Sequence, residues 1–330
     1  MQFTSFPYRT AFVVNPHAGG GRGQKTWNKI ESFLRKKKVE YEVYFAGING
    51  EDATQAAALA SGNGAEMIVA IGGDGTVKEV VNGMDTEKNI LGLISGGTAN
   101  GFRRSLKIPH NVIASLKGLF HWPVINMDLG KVNDKYFVNS VGLGFDAQVA
   151  KTATNPNNWL KGYPAFIVAC LKHLNFAPRT ISYQIDGGPV KKQDTVLTLA
   201  ANGCFYGGQL CVAPQAEIDD GILDFEYVEP VNKVWYLGML GLALIRSHLW
   251  LKGFHVDRAR KIFIDCKDDT MPVQIDGETR DEMKFPLEIS IFHKALKVVS
   301  PLNLKLSEKH LWLQRLRNIS SKFAGLASFR

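Results

Sequence analysis

The sequence predicts two domains, an N-terminal α/β domain with a parallel sheet and a β-rich, sandwich-like C-terminal domain. Three observations carry this. Strand-like and helix-like runs alternate from residue 10 to about 125, the pattern of a parallel sheet covered by crossover helices. After Pro123 strand-like runs dominate. Three of the early strand-like runs also end in glycine-rich turns.

Taken in order, Ala11–Val14 is an apolar strand, followed by a helix near Gln24–Lys38. Tyr41–Phe45 is a second strand and Asp52–Ser61 a second helix. Met67–Ile71 is a buried strand with a helix over 77–83, and Leu91–Ile94 a further strand with a helix near Val112–Leu119. Beyond Pro123 the expected strands are Ile125–Val132, Tyr136–Leu143, Thr180–Ile185, Thr195–Ala201, Ile222–Val228, Lys261–Asp265, Met271–Ile275 and Leu287–Ile291. Turn chemistry at Asp186-Gly187-Gly188-Pro189 and Asp276-Gly277 separates some of them. Helical insertions near Asn158–Leu174 and Val231–Leu251 interrupt the series. The domains are expected over 1–124 and 125–300, with the chain returning to the first after about 300 and a tail over 301–330. No linker-like composition separates the two, so they are expected to pack closely around a cleft.

The three glycine-rich turns are the functional signal. Asn15-Pro16-His17-Ala18-Gly19-Gly20-Gly21 follows the first strand, Gly72-Gly73-Asp74-Gly75-Thr76 the third and Ser95-Gly96-Gly97-Thr98-Ala99-Asn100 the fourth. Glycine lets backbone N–H groups approach phosphate oxygens, and a helix N-terminus favours anions. Asp74 adds a carboxylate where the Mg²⁺ of a nucleotide would sit. In open α/β sheets ligands bind beyond the carboxyl ends of the strands, where such loops can converge. Neither a P-loop nor a Rossmann fingerprint in its usual setting is present.

Composition sets broad bounds. The 330 residues carry a net charge of +8 and are 45% apolar, ample for two cores and suited to an acidic partner such as a phosphorylated substrate or an anionic membrane. Cys170, Cys204, Cys211 and Cys266 show no CxxC pairing, which suggests reduced thiols in a cytoplasmic protein. The N-terminus lacks the apolar core of a signal peptide, and Arg246 and His248 interrupt the longest apolar region. In the tail, Leu313, Leu316, Ile319, Phe323 and Leu326 recur at helical spacing beside Arg315, Arg317 and Lys322. Such a helix can lie on an anionic membrane or pack on its own domain.

Together these residues resemble the diacylglycerol kinase catalytic superfamily, which includes bacterial diacylglycerol kinase-like and sphingosine kinase-like lipid kinases. The resemblance rests on motifs in order: Asn15-Pro16 with Gly19-Gly20, Gly72–Thr76 with Asn82-Gly83, Gly97–Asn100, and Asp128-Leu129-Gly130. There follow Gly142–Asp146, Asn202-Gly203, Asp220-Gly221-Ile222-Leu223-Asp224 and Asp276-Gly277-Glu278. It implies ATP-dependent transfer of the γ-phosphoryl group to a lipid hydroxyl, with ATP and Mg²⁺ bound in the interdomain cleft. It also implies a lipid partner met at a membrane surface, from the cytoplasmic side, and no nucleic acid. Asn15, Pro16, Gly19, Gly72, Gly73, Asp74, Gly75, Thr76, Thr98 and Asn100 would form the nucleotide site, with Asp74 on the catalytic metal. A second, structural metal would be held by Glu217, Asp220 and the carbonyl of Ile222.

Phosphoryl transfer to an alcohol needs a base aligned with the hydroxyl. Asp276 is the expected base, with Glu278 the alternative. The chain contains its own control, because Gln184-Ile185-Asp186-Gly187 repeats Gln274-Ile275-Asp276-Gly277. Only Glu278 and the late position favour the second copy. The chain departs from the family's pattern at Ser95, where proline is usual, and at Gly101, where aspartate is usual. The family's nucleotide-contacting threonine also has no clear match near Phe45–Gly50. Other readings of the same motifs are an NAD kinase-like enzyme with a GGDG loop, and a non-catalytic lipid- or nucleotide-binding regulator.

Overall fold

The computed structural model describes residues 5–302 apart from 48–50, 156–157, 161–162, 207–209, 233–234, 237, 240–241, 243–247, 268–270 and 280–282. The tail expected to be helical, Ser307–Arg330, lies outside these residues, as does much of the Val231–Leu251 insertion.

The N-terminal half alternates β1 (Thr10–Val14), α1 (Ala18–Lys37), β2 (Glu42–Phe45), α2 (Ala53–Gly62), β3 (Met67–Gly72), α3 (Asp74–Gly83) and β4 (Ile90–Ser95). The four strands pair in parallel in the order β2-β1-β3-β4. Strands β1, β3 and β4 are buried along their whole length, which explains their unbroken apolar runs. Trp27, Ile30 and Leu34 of α1 cover one face of the sheet. Alanines of α2 and Val77, Val80 and Val81 of α3 cover the other. Asp52 caps α2 and exchanges hydrogen bonds with Gln55 in a capping box. After β4 come a short helix α4 (Gly101–Ser105), not expected from the sequence, and α5 (Val112–Gly118).

The C-terminal half begins with β5 (Val124–Val132), β6 (Lys135–Phe137), β7 (Ser140–Gly144), α6 (Phe145–Ala153) and α7 (Tyr163–Lys172). It continues through β8 (Arg179–Ile185), β9 (Lys191–Thr195), β10 (Leu197–Ala201), β11 (Phe205–Tyr206), β12 (Leu210–Cys211) and β13 (Leu223–Val228). The last strands are β14 (Phe254–Ala259), β15 (Lys261–Cys266), β16 (Val273–Ile275), β17 (Glu278–Thr279) and β18 (Leu287–Val299). A six-stranded antiparallel sheet, β14-β13-β10-β7-β16-β17, packs on the β8, β15 and β18 part of the other sheet. Their shared core contains Phe137, Val141, Leu143, Ile181, Phe225, Ile262, Val273 and Ile289. This is a β-sandwich.

The expected strand Tyr136–Leu143 is two strands, because the chain changes sheets at Val138-Asn139. Their N–H groups, with that of Ser140, turn to the Asp276 carboxylate instead of a neighbouring strand. The strand expected at Leu287–Ile291 runs on to Val299. Its first part pairs with β15 and its last part lies parallel to β4, so one strand joins the two sheet regions. Its register against β5 shifts between Phe292 and Leu296. Buried Asp128 holds that irregularity: Oδ1 accepts the Lys294 N–H at 2.7 Å and lies 2.9 Å from His293 Nδ1. Oδ2 accepts the Gly221 N–H. The Asp128-Leu129-Gly130 motif is therefore a structural clamp.

The expectation of four reduced thiols needs correction. Cys170 and Cys266 are buried thiols, but Cys204 and Cys211 are disulfide-bonded across the β11–β12 hairpin. Their seven-residue separation has no CxxC signature, and strand pairing of Phe205 with Cys211 brings them together. The cysteine argument for a reducing compartment therefore does not stand. Among the described residues, no helix is long and apolar enough to cross a membrane.

Candidate active site

The three glycine-rich turns converge. Asn15 Nδ2 donates to Thr76 Oγ1 at 3.2 Å, tying the first loop to the second. Asn15 Oδ1 accepts the N–H groups of His17 and Ala18, at 3.1 Å each, and so shapes its own turn. Gly19, Gly20 and Gly21 follow with φ of 61°, 71° and 87°, values that favour glycine. The second and third loops touch backbone to backbone, since a Cβ on Gly97 would lie 2.3 Å from Gly73 Cα.

Between these loops and the sandwich lies a cavity of about 600 Å³. Asn15, Gly19, Gly73, Asp74, Gly75, Thr76 and Thr98 line one wall, and Asp276 and Glu278 the opposite wall. Nine of the residues singled out in the sequence thus meet in one cleft. Pro16, Gly72 and Asn100 stand just behind. Pro16 carbonyl accepts the Gln24 N–H, Gly72 ends β3, and Asn100 Nδ2 donates to the Gly97 carbonyl at 3.0 Å. Ala150, Ala153, Phe166 and Phe205 give the cleft an apolar side.

Asp276 is 7% exposed and stands at the turn between β16 and β17 with φ 51°. Its carboxylate accepts N–H groups from Val138, Asn139 and Ser140 at 2.8–3.0 Å. Burial pushes its pKa up to about 6, against the lowering effect of those donors and of Lys78. A carboxyl poised there is suited to act as a general base near neutral pH. Its repeat, Asp186, has nearly the same backbone, φ 48°, but is exposed and accepts the N–H groups of Arg260 and Lys261 far from the cleft. Identical local sequence makes the same turn; only the tertiary setting differs.

Glu278 lines the cleft but pairs with Lys78 of α3, whose side chain is only 4% exposed. Sequence reasoning missed Lys78 and also Arg22. The Arg22 guanidinium donates to Thr98 Oγ1, and its Nε to the Gly19 carbonyl at 3.0 Å, bridging the first and third loops. A lone cation set within a run of glycines was the available signal for Arg22. Lys78 left none, because its partner is 200 residues away.

Asp74 accepts the Gly101 N–H at 2.9 Å on Oδ2 and the Phe102 N–H at 3.0 Å on Oδ1, so it anchors the start of α4. Burial raises its pKa above the ordinary aspartate range. Each oxygen keeps lone-pair capacity toward the cleft, and one carboxylate suffices for a Mg²⁺ otherwise held by phosphates and water. Asp74 therefore fits that ion. At Gly101, where aspartate was expected, an added Cβ would lie 3.0 Å from the Phe205 carbonyl. The disulfide-closed hairpin occupies that space.

At the expected second metal set, the Asp220 carboxylate pairs with the Arg258 guanidinium and accepts the Ile222 N–H at 3.0 Å, while burial and the neighbouring Glu217 and Asp128 carboxylates push its pKa up. Among the described residues no cluster of three His, Cys, Asp or Glu is placed to hold a metal.

Known proteins agree with this architecture. The "Diacylglycerol kinase catalytic domain" family matches residues 9–132, and the "YegS C-terminal NAD kinase beta sandwich-like domain" family matches residues 139–300. A Bacillus subtilis (strain 168) protein carrying the lipid-kinase name YtlR is 29% identical, covering 89% of this chain and 98% of its own length. A diacylglycerol kinase of Staphylococcus saprophyticus is 26% identical over 91% of this chain and 98% of its own. A crystal structure of a diacylglycerol kinase from Bacillus anthracis str. Sterne superposes with a TM-score of 0.68 at 22% identity, covering 89% of this chain and 97% of that one; it shows the shared fold. With a kinase catalytic domain, its sandwich partner and the glycine loops facing Asp276 across one cleft, the chain belongs to the diacylglycerol kinase catalytic family, phosphotransferases that act on an alcohol acceptor.

Proposed function

We propose that this protein transfers the γ-phosphoryl group of ATP to the hydroxyl of a lipid. The carrying observation is Asp276, a carboxyl with a pKa of about 6, facing three glycine loops across a cleft with an apolar flank. The loop N–H groups and Arg22 would bind and orient the phosphates. Bound Mg²⁺, held by Asp74, would neutralise charge on the transferring group. Asp276 would take the proton from the acceptor hydroxyl as the oxygen attacks. Lys78 would hold the Glu278 side of the hairpin at a fixed distance from α3. The apolar wall formed by Ala150, Ala153 and Phe166 suits the lipid body, and a lipid acceptor places the enzyme at a membrane surface. Trp159, 90% exposed in the α6–α7 connection, is the kind of side chain that enters such an interface.

The decisive experiment offers γ-labelled ATP, a total lipid extract and, separately, NAD⁺ to the purified protein. A single labelled phospholipid, identified by mass spectrometry, is the expected product. Labelled NADP⁺ would establish the NAD kinase reading, and no transfer to either would establish a regulator.

A further inference from the structure

Behind Phe166, which it shares with the cleft, lies a second chamber of about 50 Å³ between the outer face of the six-stranded sheet and α6 and α7. Phe145, Val149, Phe166 and Leu199 make it apolar, and three polar side chains also line it: Asp146, whose Oδ2 accepts from Gln274 Nε2 at 2.8 Å, Glu226 and His248. Glu226 lies mid-strand in β13, opposite Leu199 of β10 and Val256 of β14, and is 1% exposed. Its Oε1 is buried with no hydrogen-bond partner. His248 is 2% exposed; its Nε2 lies 2.7 Å from the Val212 carbonyl. A carbonyl can only accept, so Nε2 carries the proton and Nδ1 is left as a bare acceptor, also buried and unpartnered.

Buried polar atoms are almost always paired, and two orphans in one apolar chamber point to a missing partner. Burial holds the Glu226 carboxyl well above its usual range and lowers the His248 imidazole, which favours the neutral form of each. A neutral acid offers one donor and one acceptor, and Nδ1 adds an acceptor. A hydroxyl group, itself donor and acceptor, complements this set; a bare methylene chain does not.

Resting on the lipid-kinase reading, we infer that the chamber is a specificity site for a lipid whose buried chain carries a hydroxyl, and that Glu226 and His248 recognise it. Phe166 lines both the chamber and the cleft. A site built to bond a hydroxyl discriminates strongly against the analogue lacking it, because its own buried groups are then left unpaired.

The test uses the full-length protein, Mg²⁺-ATP and mixed micelles. The probes are a saturated diacylglycerol and a positional series of the same lipid with one chain hydroxyl. Both kcat/KM and the calorimetric Kd without ATP are measured. At least one isomer is expected to exceed the parent about tenfold in both. Glu226→Leu and His248→Leu should each bring that ratio close to one, whereas Glu226→Gln, which keeps a donor and an acceptor, should retain it. Equal kcat/KM and equal Kd across the series in the unmodified protein would overturn the inference and leave the kinase reading intact; the chamber would then hold water. No phosphorylation with the binding preference preserved would overturn the kinase reading and keep the chamber's role. The wild-type series decides even if a leucine variant does not fold.

Discussion

Lys78 and Glu278 form an ion pair that ties α3 of the α/β domain to the β16–β17 hairpin carrying Asp276. Lys78 lies one helical turn beyond Asp74 in α3 and acts on both carboxylates of the opposite wall, Glu278 by pairing and Asp276 by its charge. It also opposes the burial effect on Asp276. Replacing it with Lys78→Met removes that counterweight, so the Asp276 pKa should rise further above about 6. The acid limb of the kcat/KM profile should then move up; a rise of about one pH unit leaves about half of the base ionised at pH 7 and lowers activity there about twofold, with a larger loss at lower pH. An unmoved limb would show that the pair only braces the domains.

The same pair predicts an asymmetry in stability. Glu278 is 42% exposed and can be solvated alone, whereas Lys78 cannot. Glu278→Gln strands a buried ammonium and should destabilise by about 1–3 kcal/mol, a buried-pair value reduced for the exposure of Glu278. Lys78→Met should cost less. Urea denaturation of both variants measures this, and the reverse order would refute it.

The paired Gln-Ile-Asp-Gly turns supply the test of the base. Asp276→Asn should lower kcat by about 10²–10⁴-fold. Asp186→Asn should leave kcat within about twofold, since asparagine also suits that left-handed turn. For the wild type, the base must be ionised, so kcat/KM should fall tenfold per unit below a pKa of about 6 and level off above it. Equal losses in the two variants would mean the base is elsewhere.

Asp74→Asn keeps an acceptor for one of the two α4 N–H groups but loses the charge on a metal. It should reduce kcat by at least about 10²-fold and raise the Mg²⁺ concentration needed for half-maximal rate. An unchanged Mg²⁺ dependence would assign Asp74 to loop architecture alone.

Membrane attachment separates two elements. Trp159→Ala and removal of Lys309–Arg330 should each weaken binding to anionic vesicles, the truncation in a salt-dependent way at about 1 kcal/mol per Lys or Arg engaged. Turnover of a detergent-dispersed short-chain substrate should be largely retained. Loss of both activities after truncation would identify the tail as a packed structural helix.

Where local chemistry repeats along the chain, the sequence was readable. Buried strands ending in glycine turns marked the three loops that converge on the cleft, and ordered motifs picked out Asp74 and Asp276 on its walls. What escaped depends on distant partners. Asp128 was visible as a motif residue, but its clamp on His293, Lys294 and Gly221 was not. Lys78 needed Glu278, and Cys204 needed Cys211 across a hairpin too short for a periodic signal. Helix α6 was hidden because Phe145–Ala153 follows a glycine-rich strand without a side-chain cap. The Asp220–Arg258 pair, 38 residues apart, left no local signal either.

Strand β18 gives synthesis of this protein a particular order of events. Until residue 297 has left the ribosome, β4 has no neighbour on its outer side among the described residues, because Lys297 and Val298 pair with Ile90 and Leu91. An apolar strand therefore waits with a bare edge through roughly two hundred residues of translation, the condition in which edge-to-edge association competes with folding. Strand β18 acts as the keystone. Fragments ending before Leu287 should aggregate although they contain every nucleotide-loop residue, and nascent chains should become protease-resistant in one step near completion.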